Sequence, residues 1–118
     1  MSGNGWNTEI LEGYGRAMRV DVMTFPKPLA VMGSAAETAK RSGFDGMLLT
    51  EGGRTAFTAA TAAALGAPGL ELSTGVAVAF PRSPTIMAPA AWDLHKASKG
   101  RFYLGIGSQV KGHNERRY

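Results

Sequence analysis

The sequence predicts an α/β fold in which parallel strands are joined by helical crossovers, and three observations predict it. Four β-prone runs alternate with helix-patterned runs along the 118 residues, the rhythm of βα units. Corresponding strand positions Val20, Met47, Leu72 and Phe102 stand 27, 25 and 30 residues apart, about the length of one such unit. The runs are apolar on successive as well as alternate residues, as expected of a parallel sheet covered on both faces.

Taken in order, the opening stretch MSGNGWNTEILEGYGRA lacks both the basic start and the apolar run of a secretory signal. Residues 1–17 therefore read as a flexible leader, and residues 18–118 as the domain. The first strand is MRVDVMT, from Met18 to Thr24. In PLAVMGSAAETAKRSGF, Leu29, Met32, Ala36 and Ala39 recur at three and four spacing and Gly43 stops the run, which predicts an amphipathic helix. GMLLT, Gly46 to Thr50, is the second strand. The alanine-rich FTAATAAALGAPG predicts a helix that packs closely on a sheet and ends at Gly66 and Pro68. LELSTGVAVA, Leu70 to Ala79, is the third strand. A third helix runs from Pro84 or Thr85 to Ser98 and aligns Met87, Ala90, Leu94 and Ala97, with Pro89 early enough to be tolerated. RFYLGIG, Arg101 to Gly107, is the fourth strand.

Two architectures share this rhythm, a doubly wound open sheet and a (β/α)8 barrel. In both, ligands meet the carboxyl ends of the strands, so TFPKP (24–28), TEGGRTAF (50–57), AFPRSP (79–84) and GSQVKGHNE (107–115) are where chemistry is sought. Glu51 could bind a polar ligand edge or act as a base; it could equally cap a helix. Arg54 and Arg82 suit phosphate or carboxylate groups, or a structural ion pair. The glycines of GIGSQVKGH allow close backbone approach to a flat or anionic ligand, or a plain tight turn. Val110 stands where a dinucleotide fingerprint needs its third glycine. His113 lies on the site side and His95 on the exterior of the third helix, and neither has a metal-ligand partner at recognisable spacing.

Composition narrows the classes. No cysteine is present, which removes disulfides, thiolate zinc sites and thiol nucleophiles and points to a reducing, cytoplasmic setting. The longest uncharged stretch, Thr55 to Leu70, is too short and too broken by Gly66, Pro68 and Gly69 to span a bilayer. The net charge of +4 suits an anionic ligand, but the basic residues are dispersed apart from NERRY, and no nucleic-acid module is visible.

TGVAVAFPRSP followed by AAWDLHKASKGRFYLGIGSQVKGHNERRY resembles the luciferase-like monooxygenase superfamily, in particular its deazaflavin (coenzyme F-420)-dependent branch. The resemblance runs from about Met18 to Tyr118. It implies a (β/α)8 TIM barrel, of which the chain holds the first four βα units, a half barrel. It also implies an oxidoreductase that performs hydride transfer or monooxygenation on a small-molecule substrate, with coenzyme F-420 as the expected cofactor and FMN as the alternative. Carried over by position, the cofactor-contacting residues are Glu51, Gly75, Val76, Val78, Ser108, Gln109 and His113. The Gly75–Val76 bond matches a non-proline cis peptide that backs the ring in relatives. Two positions depart from the family pattern: Gly52 stands where several relatives carry a catalytic histidine, and Val110 where an acid is usual. Glu51 is the remaining catalytic candidate.

A half barrel would leave two sheet edges and an apolar interior exposed. A second copy or a companion chain is then expected to complete it, and activity is not expected of the half alone. The competing reading is a non-catalytic half barrel that dimerises or binds a small ligand without turnover.

Overall fold

The computed structural model describes residues 18–117; the expected leader and Tyr118 lie outside them. The elements are β1 (Asp21–Thr24), α1 (Leu29–Arg41), β2 (Gly46–Leu49), α2 (Ala56–Gly66), β3 (Glu71–Thr74), β4 (Ala77–Val78), α3 (Pro84–Ala97), β5 (Phe102–Tyr103), β6 (Ile106–Gly107) and α4 (Lys111–Arg117). Strands β1, β2, β3 and β5 form a wholly parallel sheet in that order, and β4 and β6 form a second parallel ladder. Each crossover helix separates strands that pair side by side. This is the architecture of successive βα units, a partial (β/α)8 barrel.

The register explains which face is buried. Val22, Met47, Leu72 and Phe102 lie in one row across the sheet, and the last three are at most 3% exposed. They meet Met32, Ala36 and Ala39 of α1, Ala59, Ala60, Ala63 and Ala64 of α2, and Met87 and Leu94 of α3 in one apolar cluster. The next row, Met23, Leu48, Ser73 and Tyr103, points the other way because side chains alternate along a strand. Met23 is 63% and Tyr103 56% exposed. The expectation of a sheet covered on both faces therefore holds for one face of the described residues. The second face is the side that lines the interior of a closed barrel.

Close packing depends on small residues where α1 crosses α2. A Cβ added to Gly66 would lie 2.4 Å from the Gly33 Cα, so the two helices touch backbone to backbone. Gly43 ends α1 in the left-handed region at φ +93°, where its N–H bonds the Lys40 carbonyl and the Phe44 N–H bonds the Ala39 carbonyl. Helix α3 ends the same way, with Lys99 at φ +54° taking the glycine's place. Two expected core positions are corrected. Leu29 is 54% exposed because it is the first residue of α1, before the helix reaches the sheet, and Ala97 is exposed at the last turn of α3.

The third and fourth strands, each expected as one run, are interrupted at the same level. Leu72 pairs with Phe102 but Ala77 pairs with Ile106, so the third strand carries one more residue than the fourth between the two ladders, in the manner of a bulge. The Thr74 hydroxyl fills the gap by donating to the Gly105 carbonyl at 2.8 Å and accepting from the Gly105 N–H at 3.0 Å. Gly105 is required there, since a Cβ would sit 2.1 Å from the Thr74 carbonyl oxygen. The Gly75–Val76 peptide within the interruption is cis.

Candidate functional site at the carboxyl ends of the strands

The segments that follow β2, β4 and β6 converge at the carboxyl end of the sheet, and Glu51 ties the first two together. Its side chain is 6% exposed. Oε1 accepts from the Val78 N–H at 2.9 Å and from Arg82 Nη1 at 2.7 Å; Oε2 accepts from the Ala56 N–H at 2.9 Å and from Arg82 Nη2 at 2.5 Å. A carboxylate offers about four acceptor directions, and the chain fills them. Burial by itself would push this carboxyl up, yet the hydrogen bonds from Arg82, Ala56 and Val78 and the Arg82 charge outweigh it and hold Glu51 below the usual carboxylate range. Glu51 is thus ionised and fixed, and one of its bonds caps the first residue of α2. This matches the capping alternative weighed from the sequence.

Arg82 is held on its other sides as well. Nη1 donates to the Val78 carbonyl at 2.9 Å, and the guanidinium carbon lies 5.1 Å from the centre of the Phe57 ring. Phe57 in turn packs on Phe102 of the core. The structural ion-pair alternative is therefore the one Arg82 adopts, and the pair locks the β4–α3 loop onto the end of β2.

Beside this pair opens a cleft of about 450 Å³ lined by Glu51, Gly53, Arg54, Thr55, Pro81, Arg82 and Arg117. Gly53 turns the chain at φ +89° before α2. Position 52 faces the Phe25 ring, 3.4 Å from where a Cβ would stand, and Arg117 Nη1 at 3.9 Å. The sequence reading did not foresee Arg117 here. NERRY read only as a basic end, because α4 has no buried residue to betray a helix; the Lys111 and Glu115 pair at i,i+4 spacing was the available signal.

The other expected contacts gather along the β4–β6 ladder. Val76 presses on β6, where a Cβ at Gly107 would lie 2.8 Å from Val76 Cγ2. Ser108, exposed, and Gln109, at φ +65°, follow directly. Gly75 packs against Leu48, with 2.7 Å between its would-be Cβ and Leu48 Cδ1. The glycines at 75, 105 and 107 thus serve close approach of strand to strand. Val78 is fully buried, its N–H and carbonyl taken by Glu51 and Arg82, so it offers a wall behind the site. His113 is exposed on α4, and its side chain bonds no other described residue. His95 is exposed on α3 with Nδ1 3.1 Å from the Phe102 carbonyl. Among the described residues no acidic or histidine cluster of three or more could hold a metal ion, and no helix is long and apolar enough to cross a membrane.

Comparison with known proteins gives the family and the fold. Residues 5–118 match the family described as luciferase-like monooxygenase. Uncharacterized proteins of Mycobacterium tuberculosis and Mycobacterium bovis are 41% identical over 106 residues, covering 90% of this chain and 31% of theirs. Among solved structures, the coenzyme F-420 dependent tetrahydromethanopterin reductase of Methanopyrus kandleri superposes with a TM-score of 0.75 at 20% identity, over 83% of this chain and 29% of that one. The oxygenating constituent of 3,6-diketocamphane monooxygenase from Pseudomonas putida, in complex with FMN, gives 0.71 at 18% identity, over 85% and 32%. A monooxygenase from Streptomyces bottropensis gives 0.71 at 21%, over 83% and 36%. The chain spans about a third of the length of the proteins it matches.

Proposed function

Because the chain belongs to the luciferase-like monooxygenase family, we propose that it carries the cofactor-facing amino-terminal units of an oxidoreductase using coenzyme F-420, with FMN as the alternative, for hydride transfer to or monooxygenation of a small molecule. The observation that carries the reading is the juxtaposition of Val76 with Gly107, directly before the exposed Ser108 and the left-handed Gln109. Together with Gly75 they form a backbone ledge at the carboxyl end of the sheet, suited to backing a flat ring, with Ser108, Gln109 and His113 as polar contacts. Glu51 and Val78 stand behind that ledge and position it; Glu51, with its acceptors filled, is assigned no proton transfer. When bound, the cofactor supplies the hydride or oxygen chemistry, and the protein orients and desolvates it. The absence of cysteine suits a cytoplasmic enzyme.

Titrating the protein with coenzyme F-420 and with FMN, followed by their fluorescence, tests this reading. Saturable binding of one of them, weakened by Ser108→Ala with Gln109→Ala, is expected. Failure of both to bind, alone and with a companion chain supplying further βα units, would overturn it.

The exposed row of Met23 and Tyr103 favours a second reading, a half barrel that pairs with another copy and turns nothing over. A stable dimer that binds neither cofactor would favour that reading over the enzyme.

A further inference from the structure

The cleft beside Glu51 is distinct from the proposed ring-backing ledge and has a chemistry of its own. Three arginines line it, Arg54, Arg82 and Arg117, against one carboxylate, Glu51. That carboxylate is spent on Arg82, and among the described residues Arg54 and Arg117 form no ion pair. Two unneutralised guanidinium groups therefore share one concave space. Like charges brought together repel, and an anion between them removes that cost.

Gly53 and Thr55 bring the start of α2 to the cleft wall, where Glu51 already takes the Ala56 N–H, so the cleft's unpaired positive charge comes from the arginines. The Glu51–Arg82 pair, itself pinned by Phe57 and the backbone of Val78, gives the cleft a rigid wall. Arg54 leads into α2 and Arg117 stands on α4, so the two reach the space from different elements. Planar guanidinium forks match the paired oxygens of phosphate and carboxylate groups.

We propose that this cleft is an oxyanion site for the phosphate or carboxylate group of a small molecule, with Arg54 and Arg117 as the binding residues and the Glu51–Arg82 pair as its fixed wall. The proposal stands apart from the cofactor reading, since it requires no ring to bind.

The test titrates the ¹⁵N-labelled 118-residue protein with inorganic phosphate, pyrophosphate and citrate, with chloride holding the ionic strength constant. Saturable shifts of the Gly53, Arg54 and Thr55 amides are expected for at least one probe. Arg54→Gln and Arg117→Gln should each weaken that binding by about tenfold, the loss of one charge-assisted contact, while Arg41→Gln on α1 leaves it unchanged. Arg54 and Arg117 are both exposed, so these variants should keep the fold, which circular dichroism checks. Repeating the titration with FMN present separates the sources of the oxyanion: competition assigns the site to a cofactor's phosphate, and simultaneous binding to a separate substrate. Linear, unsaturable shifts, or equal affinity in all three variants, would overturn the proposal, whatever the outcome for cofactor binding.

Discussion

Arg82 grips Glu51 through two parallel hydrogen bonds of 2.7 and 2.5 Å, each from a different nitrogen to a different oxygen. The two residues are 31 positions apart, and their pairing joins the end of β2 to the loop that follows β4. The carboxylate also receives the N–H groups of Ala56 and Val78. One buried side chain thus fixes three pieces of the carboxyl face.

Breaking the pair from either side should be costly. Glu51→Gln leaves the half-buried Arg82 and Arg82→Leu the buried Glu51 without its counter-charge, and each is expected to lose about 3–5 kcal/mol of unfolding free energy in urea titrations. The double variant should lose much less than the sum, because the second change removes the stranded charge.

The same pair sets a pH dependence. Glu51 titrates lower in the folded chain than its ordinary value of 4.5, so the unfolded chain binds more protons as the pH falls through that interval. Its contribution is complete above pH 4.5 and is lost as the pH drops through the depressed folded value. The stability difference between the natural protein and Glu51→Gln, followed by urea unfolding at stepped pH, should therefore shrink toward acid; a constant difference would contradict the assignment.

At the crossing of α1 and α2, Gly66→Ala must push apart backbones that touch at Gly33. A loss of about 4 kcal/mol is expected. Leu65→Ala on the preceding, 73% exposed position should stay within about 0.5 kcal/mol. Thermal unfolding of the two variants side by side provides the comparison.

The α3 terminus offers a stabilising change. Lys99 occupies the left-handed position at φ +54° that Gly43 fills at the end of α1. Lys99→Gly should raise stability by about 1 kcal/mol by relieving the Cβ contact, measured by the same thermal unfolding.

Much of the fold was legible because it rests on local periodicity. Met32, Ala36 and Ala39 fall on the buried face that their spacing demands, and Met47, Leu72 and Phe102, expected as equivalent strand residues, share one row of the sheet; its fourth member is Val22 rather than the expected Val20, which precedes β1. The interruption of the third and fourth strands was hidden, since LELSTGVAVA and RFYLGIG are β-prone throughout and the slip depends on a long-range contact between Thr74 and Gly105. The site was legible as places, not as partners. Glu51 and Arg82 were each singled out, but their pairing requires knowing that β4 lies beside the end of β2. Helix α4 and the position of Arg117 carried no apolar signal at all.

The central claim, that the ledge from Gly75 to Val76 together with Ser108 and Gln109 backs a flavin or deazaflavin ring, is tested most directly by mapping amide shifts of the labelled protein while coenzyme F-420 or FMN is added to saturation. The account predicts that the largest shifts fall on Val76, Gly107, Ser108 and Gln109. Saturable binding of either cofactor that leaves those four amides unmoved would contradict it.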